Sequence, residues 1–289
     1  MSLTLFHHSG AGEGDWTAEK IMVALREVGF DPRLVERGTK GWKKAVKETD
    51  GFVAVAGGDG TVAKVANLVY GTDLPLAILP TGSGNNIARS LGVMAPLEEI
   101  FPRLKHARSG PLRLCTATGS FGEKHFVEGY GLGALAYSVL ELQEEKLDGD
   151  EKLIRGRDSL ISSIEAQEPL DVEIRVDGQV VEGDFLLVEI LNLPMIGPNI
   201  RFVPDTALKG DSLSVALLPE AERGAIVEWL SQGGAGVGPF RHIQGRVIDI
   251  SGAPQPLRFD DKTRVWDGAR VRFEAEPGRV QVLRPSDPK

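Results

Sequence analysis

A single cysteine, Cys115, in 289 residues excludes an intrachain disulfide and any zinc site built on cysteine pairs. Histidine is nearly as scarce. His7, His8, His106, His125 and His242 show neither helical pairing nor the spacing of paired ligands, so a histidine metal centre is not expected either. No apolar run approaches the roughly 20 residues that a membrane-spanning helix needs. The amino terminus has no basic segment followed by an apolar one, so neither a signal peptide nor an anchor is expected. These absences predict a cytoplasmic protein in a reducing compartment. Excess positive charge is missing too: the formal net charge is −8. That argues against nonspecific nucleic-acid binding and makes broad adhesion to an anionic membrane unfavourable, although local patches escape the average. Internal repeats and low-complexity segments are absent.

Hydrophobic residues make up 42% of the chain, and a chain of this length buries about three quarters of its unfolded surface, enough for two cores. Residues 1–110 alternate strand and helix patterns. Leu3 to Phe6 reads as a strand, Trp16 to Val28 as a helix closed by Gly29, Arg33 to Val35 as a strand and Trp42 to Lys47 as a short helix. This order predicts a parallel sheet with helices on both faces. Beyond residue 110 the pattern changes. Asp177-Gly178 between two alternating runs is a strong hairpin signal. Phe185 to Leu191, Leu213 to Leu218, Val247 to Ile250 and Val271 to Glu274 read as further strands, interrupted by helices at about 134–147, 158–166 and 221–231. The expected fold class is α/β plus β. A parallel-sheet α/β domain, 1–110, precedes a mainly antiparallel β-sandwich domain, 111–289, whose last few residues are free to return to the first.

Two segments carry chemistry. Phe52 to Ala56 is continuously apolar, as a strand buried on both faces should be, and stops at Gly57-Gly58-Asp59-Gly60; from Thr61 onward Val62, Val65, Ala66 and Val69 fall on one helical face. Leu76 to Leu79 is a second such strand, and Pro80-Thr81-Gly82-Ser83-Gly84-Asn85-Asn86 leads into Ile87, Leu91 and a terminating Gly92. Glycines lack a β-carbon, so backbone N–H groups can approach an anion toward which a helix directs its positive end. Both turns open on the carboxyl edge of a parallel sheet, where open α/β folds bind ligands. Asp59 in a phosphate cradle implies Mg²⁺ or an ordered water between the like charges. A second reading stays open here: tight connections, with Asp59, Ser83 and Asn85 serving as caps and turn formers.

Gly57-Gly58-Asp59-Gly60-Thr61, followed by Pro80-Thr81-Gly82-Ser83-Gly84-Asn85-Asn86-Ile87-Ala88-Arg89-Ser90-Leu91-Gly92, resembles the diacylglycerol kinase catalytic domain, a fold shared with sphingosine, ceramide and bacterial lipid kinases. Gly-Gly-Asp-Gly alone also occurs in NAD kinases and phosphofructokinases. The Gly-Ser-Gly-Asn turn running into Ala-Arg and Leu-Gly is similar to the lipid-kinase branch. Phe126 to Gly133 resembles the family's Phe-x-x-x-x-Gly-x-Gly, and Phe202 to Ala207 with Asp211 to Leu218 its Pro-x-Ala and following strand. The resemblance implies ATP with Mg²⁺ between the domains and transfer of the γ-phosphoryl to the hydroxyl of diacylglycerol or a related lipid alcohol. By position, Gly57, Gly58, Asp59, Gly60 and Thr61 hold phosphates and Mg²⁺, and Thr81, Gly82, Ser83, Gly84 and Asn85 take the nucleotide's other side.

The departures from the family pattern matter as much. Ala63-Lys64 stands where the family has Asn-Glu, His7-His8 where it has an early Asn-Pro, and Asn86 where an Asp is common. Cys115 falls on an acidic strand position. The family's Asp-Gly-Glu, whose Glu is thought to deprotonate the acceptor, falls on Asp260-Asp261-Lys262, leaving Asp260 or Asp261 as substitute bases. A missing base costs about 10² to 10⁴ in rate. The expected enzyme is therefore a lipid kinase, and the alternative a catalytically impaired nucleotide-binding protein. A kinase for another alcohol, NAD included, is the third reading. Two surfaces could make transient membrane contact: Leu160, Ile161 and Ile164 near Lys152, Arg155 and Arg157, for which a core-facing helix is the expected account, and the cluster Arg33, Arg37, Lys40, Lys43, Lys44 and Lys47, which reads equally as a solvated face. His7 and His8 are expected in an exposed loop at the ligand edge, and Gly233 to Gly238 as a loop. A homodimer is compatible with the sequence.

Overall fold

The computed structural model of the chain describes residues 1–8, 16–36, 41–143, 145, 147, 149–205 and 210–287. They divide into two compact units, Met1–Arg113 with Gly278–Lys289, and Leu114–Pro277. The first unit runs β1 (Ser2–His7), α1 (Ala18–Glu27), β2 (Asp31–Glu36), α2 (Trp42–Lys47), β3 (Phe52–Gly57), α3 (Asp59–Val69), β4 (Leu76–Pro80), α4 (Asn86–Ser90) and α5 (Leu97–Arg103), then enters β5 (Arg108–Gly119). Its strands lie in the order β2-β1-β3-β4, all parallel. β3 and β4 are buried at every position, as central strands covered on both faces must be. Alternation sorts the side chains. Leu3, Leu5, Ala54, Ala56, Ala77 and Leu79 join α1 and α5 in one core, whereas Phe6 turns to the opposite face and meets the edge of Trp42 on α2, centroids 5.0 Å apart. Sequence periodicity missed α5, a short helix that contains Pro102 and supplies Leu97, Ile100 and Phe101 to the core.

The second unit continues with β6 (Gly122–Phe126), β7 (Gly129–Gly133), α6 (Ala134–Leu142), α7 (Gly149–Ala166), β8 (Val172–Val176), β9 (Gln179–Val180), β10 (Phe185–Leu191), β11 (Met195–Ile196), β12 (Ile200–Arg201), β13 (Leu213–Pro219), α8 (Arg223–Ser231), β14 (Arg241–Gly245), β15 (Val247–Gly252), β16 (Gln255–Phe259), β17 (Lys262–Trp266) and β18 (Val271–Arg284). One antiparallel sheet has the order β14-β13-β10-β7-β16-β17. The facing layer is β8, β9, β15 and the start of β18, with the β5–β6 hairpin. Tyr130, Leu132, Val188 and Ile190 of the first layer interleave with Phe126, Ile174, Ile248 and Phe273 of the second, the sandwich arrangement expected. Asp177 and Gly178 both have positive φ, 49° and 83°, the backbone that a two-residue hairpin turn demands.

Several boundaries move. α7 spans 18 residues from Gly149 instead of starting near 158, and Leu160 and Ile164 are fully buried, so this helix faces the core. β18 runs ten residues beyond Glu274 to Arg284, and Val282 and Leu283 pair in parallel with Leu76 and Ala77 of β4. Thr206, Ala207, Arg37 and Lys40 of the sequence motifs, and residues 144 and 146 of the helix expected at 134–147, lie outside the described residues.

A buried ion pair organises the antiparallel sheet. Glu189 on β10 and Arg258 on β16 both lie opposite Gly131 of β7, so the missing side chain opens a path between them. Arg258 Nη2 reaches Glu189 Oε2 at 2.5 Å, and Nη1 donates to the Asp260 carbonyl at 2.5 Å. A Cβ on Gly131 would stand 1.9 Å from Glu189 Oε1. This is the physical reason for the first glycine of the Gly-x-Gly pattern. Burial pushes the Glu189 carboxyl above its usual range against the pull of Arg258. Breaking such a pair from one side strands a buried charge: Arg258→Met should cost about 3–5 kcal/mol in urea unfolding, while Glu189→Leu with Arg258→Met should recover most of that loss.

Candidate nucleotide site

β3 ends at Gly57, and α3 begins at Asp59, two residues before the expected start at Thr61. The Gly58 carbonyl already accepts from the amides of Thr61 and Val62, which makes Gly58 the N-cap and draws Asp59 and Gly60 into the first turn. Asp59 therefore does not cap its own helix. Its Oδ1 accepts from the Ile87 amide at 2.8 Å, an orphan donor in the first turn of α4. The carboxylate of the first glycine turn thus holds the helix that follows the second.

The second turn folds back on the first. Thr81 N–H donates to the Gly57 carbonyl at 3.4 Å. A Cβ on Gly82 would stand 2.3 Å from Gly58 Cα, and one on Gly57 would stand 2.8 Å from Thr61 Cβ. The two backbones touch, and only glycine fits at the contact. Asn85 sits in left-handed backbone, φ 53° and ψ 37°, which its side chain secures by accepting from Gly82 N–H at 3.0 Å and donating to the Gly82 carbonyl at 2.5 Å. Arg89 Nε donates to the Gly84 carbonyl at 3.0 Å. Gly58, Asp59, Gly60 and Thr81 to Gly84 are half-buried, while Thr61 and Asn85 are buried. All the glycine-turn residues singled out in the sequence thus gather within the first unit.

His7 corrects an expectation. It is the last residue of β1, paired with Ala56, and 5% exposed, because β1 extends one residue further into the sheet than its apolar run suggests. Its Nδ1 and the Thr81 Oγ1 are buried without a hydrogen-bond partner. A buried polar atom left unmatched costs about 1–3 kcal/mol, so these two atoms at the carboxyl edge suit a polar ligand that completes them. Crossed glycine backbones and the N-terminus of α3 provide backbone donors of the kind that fits phosphate. Among the described residues no group of three or more His, Cys, Asp or Glu is arranged to hold a metal. Lys64 points its ammonium at the Trp42 ring, 4.1 Å from the centroid.

The remaining singled-out acids lie in the second unit. Asp260 is 6% exposed with φ 46°, and its carboxylate accepts from the amides of Val127, Glu128 and Gly129 at 2.9–3.3 Å. Burial pushes its pKa up to about 6, against the opposing pull of these amides and Arg258. Asp261, beside it in the β16–β17 turn, is exposed. Cys115 Sγ lies 3.2 Å from Asn192 Oδ1, and Asn192 Nδ2 donates to the Val127 carbonyl at 2.7 Å. Cys115 and Asp260 therefore secure the same β6–β7 connection. Asn192, Glu189 and Arg258 were missed from sequence; a charge inside each of two apolar strands was the available signal.

Comparison with known proteins agrees with the motif. Residues 2–117 match the family model of the diacylglycerol kinase catalytic domain. The resemblance seen in the sequence is borne out. A diacylglycerol kinase of Bacillus subtilis is 28% identical over 182 residues, 61% of this chain and 57% of that protein. A probable YegS-like lipid kinase of Shewanella frigidimarina is 23% identical over 278 residues, 91% of this chain and 88% of the relative. The crystal structure of a putative diacylglycerol kinase from Bacillus anthracis superposes with a TM-score of 0.73 at 20% identity, covering 98% of this chain and 96% of that one. It shares the two-part α/β plus β fold.

Two outcomes follow from this geometry. Gly82→Ala pushes Cβ into the Gly58 backbone and should cost about 1–3 kcal/mol, read as a lower urea midpoint. Asp260 has a folded pKa of about 6 against an ordinary 3.8, so its stabilising contribution is present below about pH 4 and lost as pH rises through 6. Relative to Asp260→Asn, the unaltered protein should lose up to about 3 kcal/mol over that window in pH-dependent urea unfolding.

Proposed function

We propose that this protein transfers the γ-phosphoryl group of ATP to a hydroxyl of diacylglycerol or a related lipid alcohol. The observation that carries the reading is the pair of crossed glycine turns joined by Asp59 and the Ile87 amide. Phosphoryl transfer demands positioning and charge neutralisation more than covalent chemistry from the protein, and fixed backbone donors are suited to both. Gly57, Gly58, Gly60, Thr61 and the turn from Thr81 to Asn85 bind and orient the phosphates. Mg²⁺, when bound with the nucleotide, neutralises phosphate charge. Asp59, with one oxygen engaged by Ile87, would share the ion with phosphate oxygens and water, as this small octahedral cation usually requires. Thr81 Oγ1 and His7 Nδ1 supply further polar contacts.

In the transfer, the acceptor oxygen bonds to the γ-phosphorus, the bond to the bridging oxygen breaks, ADP leaves, and the hydroxyl proton passes to a base. Asp260 is committed to three amides, so Asp261, exposed at the hairpin tip, is the better base of the two. No helix among the described residues is long and apolar enough to cross a membrane, and the reading places the protein in the cytoplasm, meeting its lipid at a membrane surface.

Incubation with Mg²⁺, γ-labelled ATP and a total lipid extract should carry label into the organic phase. Asp59→Ala should abolish this transfer, and Asp261→Asn should slow it about 10²-fold or more with ATP affinity unchanged. ATP binding that Asp59→Ala weakens, without any transfer to lipid, would overturn the kinase reading.

A further inference from the structure

Apart from the glycine turns, the first unit holds a cavity of about 390 Å³ lined by Lys43, Val46 and Lys47 of α2, Asn67 and Leu68 of α3, and Thr49, Thr72 and Leu74 of the connections. Residues 43, 46 and 47 share one helical face by their spacing. The uncharged polar side chains of the lining each donate to a backbone carbonyl. Thr49 Oγ1 donates to the Ala45 carbonyl at 2.7 Å, Thr72 Oγ1 to the Val69 carbonyl at 2.7 Å, and Asn67 Nδ2 to the Ala63 carbonyl at 2.9 Å. What the lining offers a ligand is the apolar side chains of Val46, Leu68 and Leu74 together with two lysines. Glu48, the acid nearest in sequence to Lys47, is already engaged by Arg33 at 3.2 Å and Lys44 at 3.5 Å.

We propose that this cavity is a docking site for an anionic phospholipid at a membrane surface. Lys43 and Lys47 would take the head-group phosphate, and the first methylenes would lie over Val46, Leu68 and Leu74. The volume falls toward the lower end of the about 300–1,000 Å³ of small-molecule pockets. It suits a head group with the start of a chain, the rest of the lipid staying in the bilayer. In a chain of net charge −8, general attraction to an anionic leaflet is unfavourable, so contact must be made through a local basic site of this kind. That the protein meets a membrane rests on the lipid-kinase reading, but the docking is tested without nucleotide, so the two can fail separately.

Co-sedimentation with vesicles of phosphatidylcholine alone, and mixed equally with phosphatidylglycerol, reads the proposal directly. The protein should sediment only with the anionic vesicles. Lys43→Glu with Lys47→Glu should weaken that binding at least about tenfold. Lys105→Glu with Lys124→Glu, the same charge change at two exposed lysines elsewhere, should leave most of it, and Lys43→Arg with Lys47→Arg should retain it. Methyl resonances of Val46, Leu68 and Leu74 should shift with a short-chain phosphatidylglycerol and not with inorganic phosphate. Equal loss in both Glu pairs, methyl shifts produced by phosphate alone, or no sedimentation with either vesicle would overturn the proposal.

Discussion

The Asp59 carboxylate, hydrogen-bonded to the Ile87 amide across two strand-to-helix connections, is the constraint from which the local structure of the candidate site follows. It requires the second turn to lie on the first, and the resulting backbone contact leaves no room for a Cβ on Gly82. The chain must then reverse within a few residues to start α4 at Asn86, which sets Asn85 in left-handed backbone and recruits its amide to bridge Gly82. Asparagine tolerates that conformation better than most residues because its short side chain bonds locally. One acid thus fixes the positions of several glycines and one asparagine. It also brings the N-termini of α3 and α4 toward one place, as anion binding by backbone amides requires.

The second unit achieves order by a different route, with charges inside a β-sandwich. Arg258 is held by Glu189 and by the carbonyl of Asp260, and Asp260 in turn holds three successive amides. Removing either end leaves a charge that water cannot reach, so the members stand or fall together. Gly131 belongs to this network by what it lacks, since a methyl group there would occupy the carboxylate's place. Such an interior specifies one register of β7 against β10 and β16, because a slip by one residue would bring Glu189 and Arg258 to the wrong face.

Much of this was legible in the sequence where physical periodicity was strong. The runs Phe52 to Ala56 and Leu76 to Leu79, the Asp177-Gly178 turn and the one-face pattern after Thr61 gave their elements to within a few residues, because burial and turn chemistry act locally there. The paired glycine motifs also marked the two turns that fold onto one another. Illegible were the interactions that join distant segments. Asp59 and Ile87 are 28 residues apart, Glu189 and Arg258 are 69 apart, and Asp260 and Val127 are 133 apart. Nothing in local spacing signals such partners. His7 was misread for the opposite reason: a polar residue at the end of an apolar run looks like the start of a loop, whereas β1 continues through it to pair with Ala56.

The departures from the family pattern gain a physical sense once their surroundings are known. Lys64 lies over the indole of Trp42, a contact available only to a cation, and so fastens α3 to α2 where an acid would not. Cys115 meets Asn192 in a buried place, where an ionised carboxylate would incur a large desolvation penalty without a cation to match it. Both positions are engaged in packing and hydrogen bonding. In the transfer we propose, phosphate charge would fall to the backbone donors of the glycine turns, the metal to Asp59 and the acceptor proton to Asp261. A site built this way relies more on positioning than on general-base strength, consistent with a reaction in which the protein forms no covalent bond of its own.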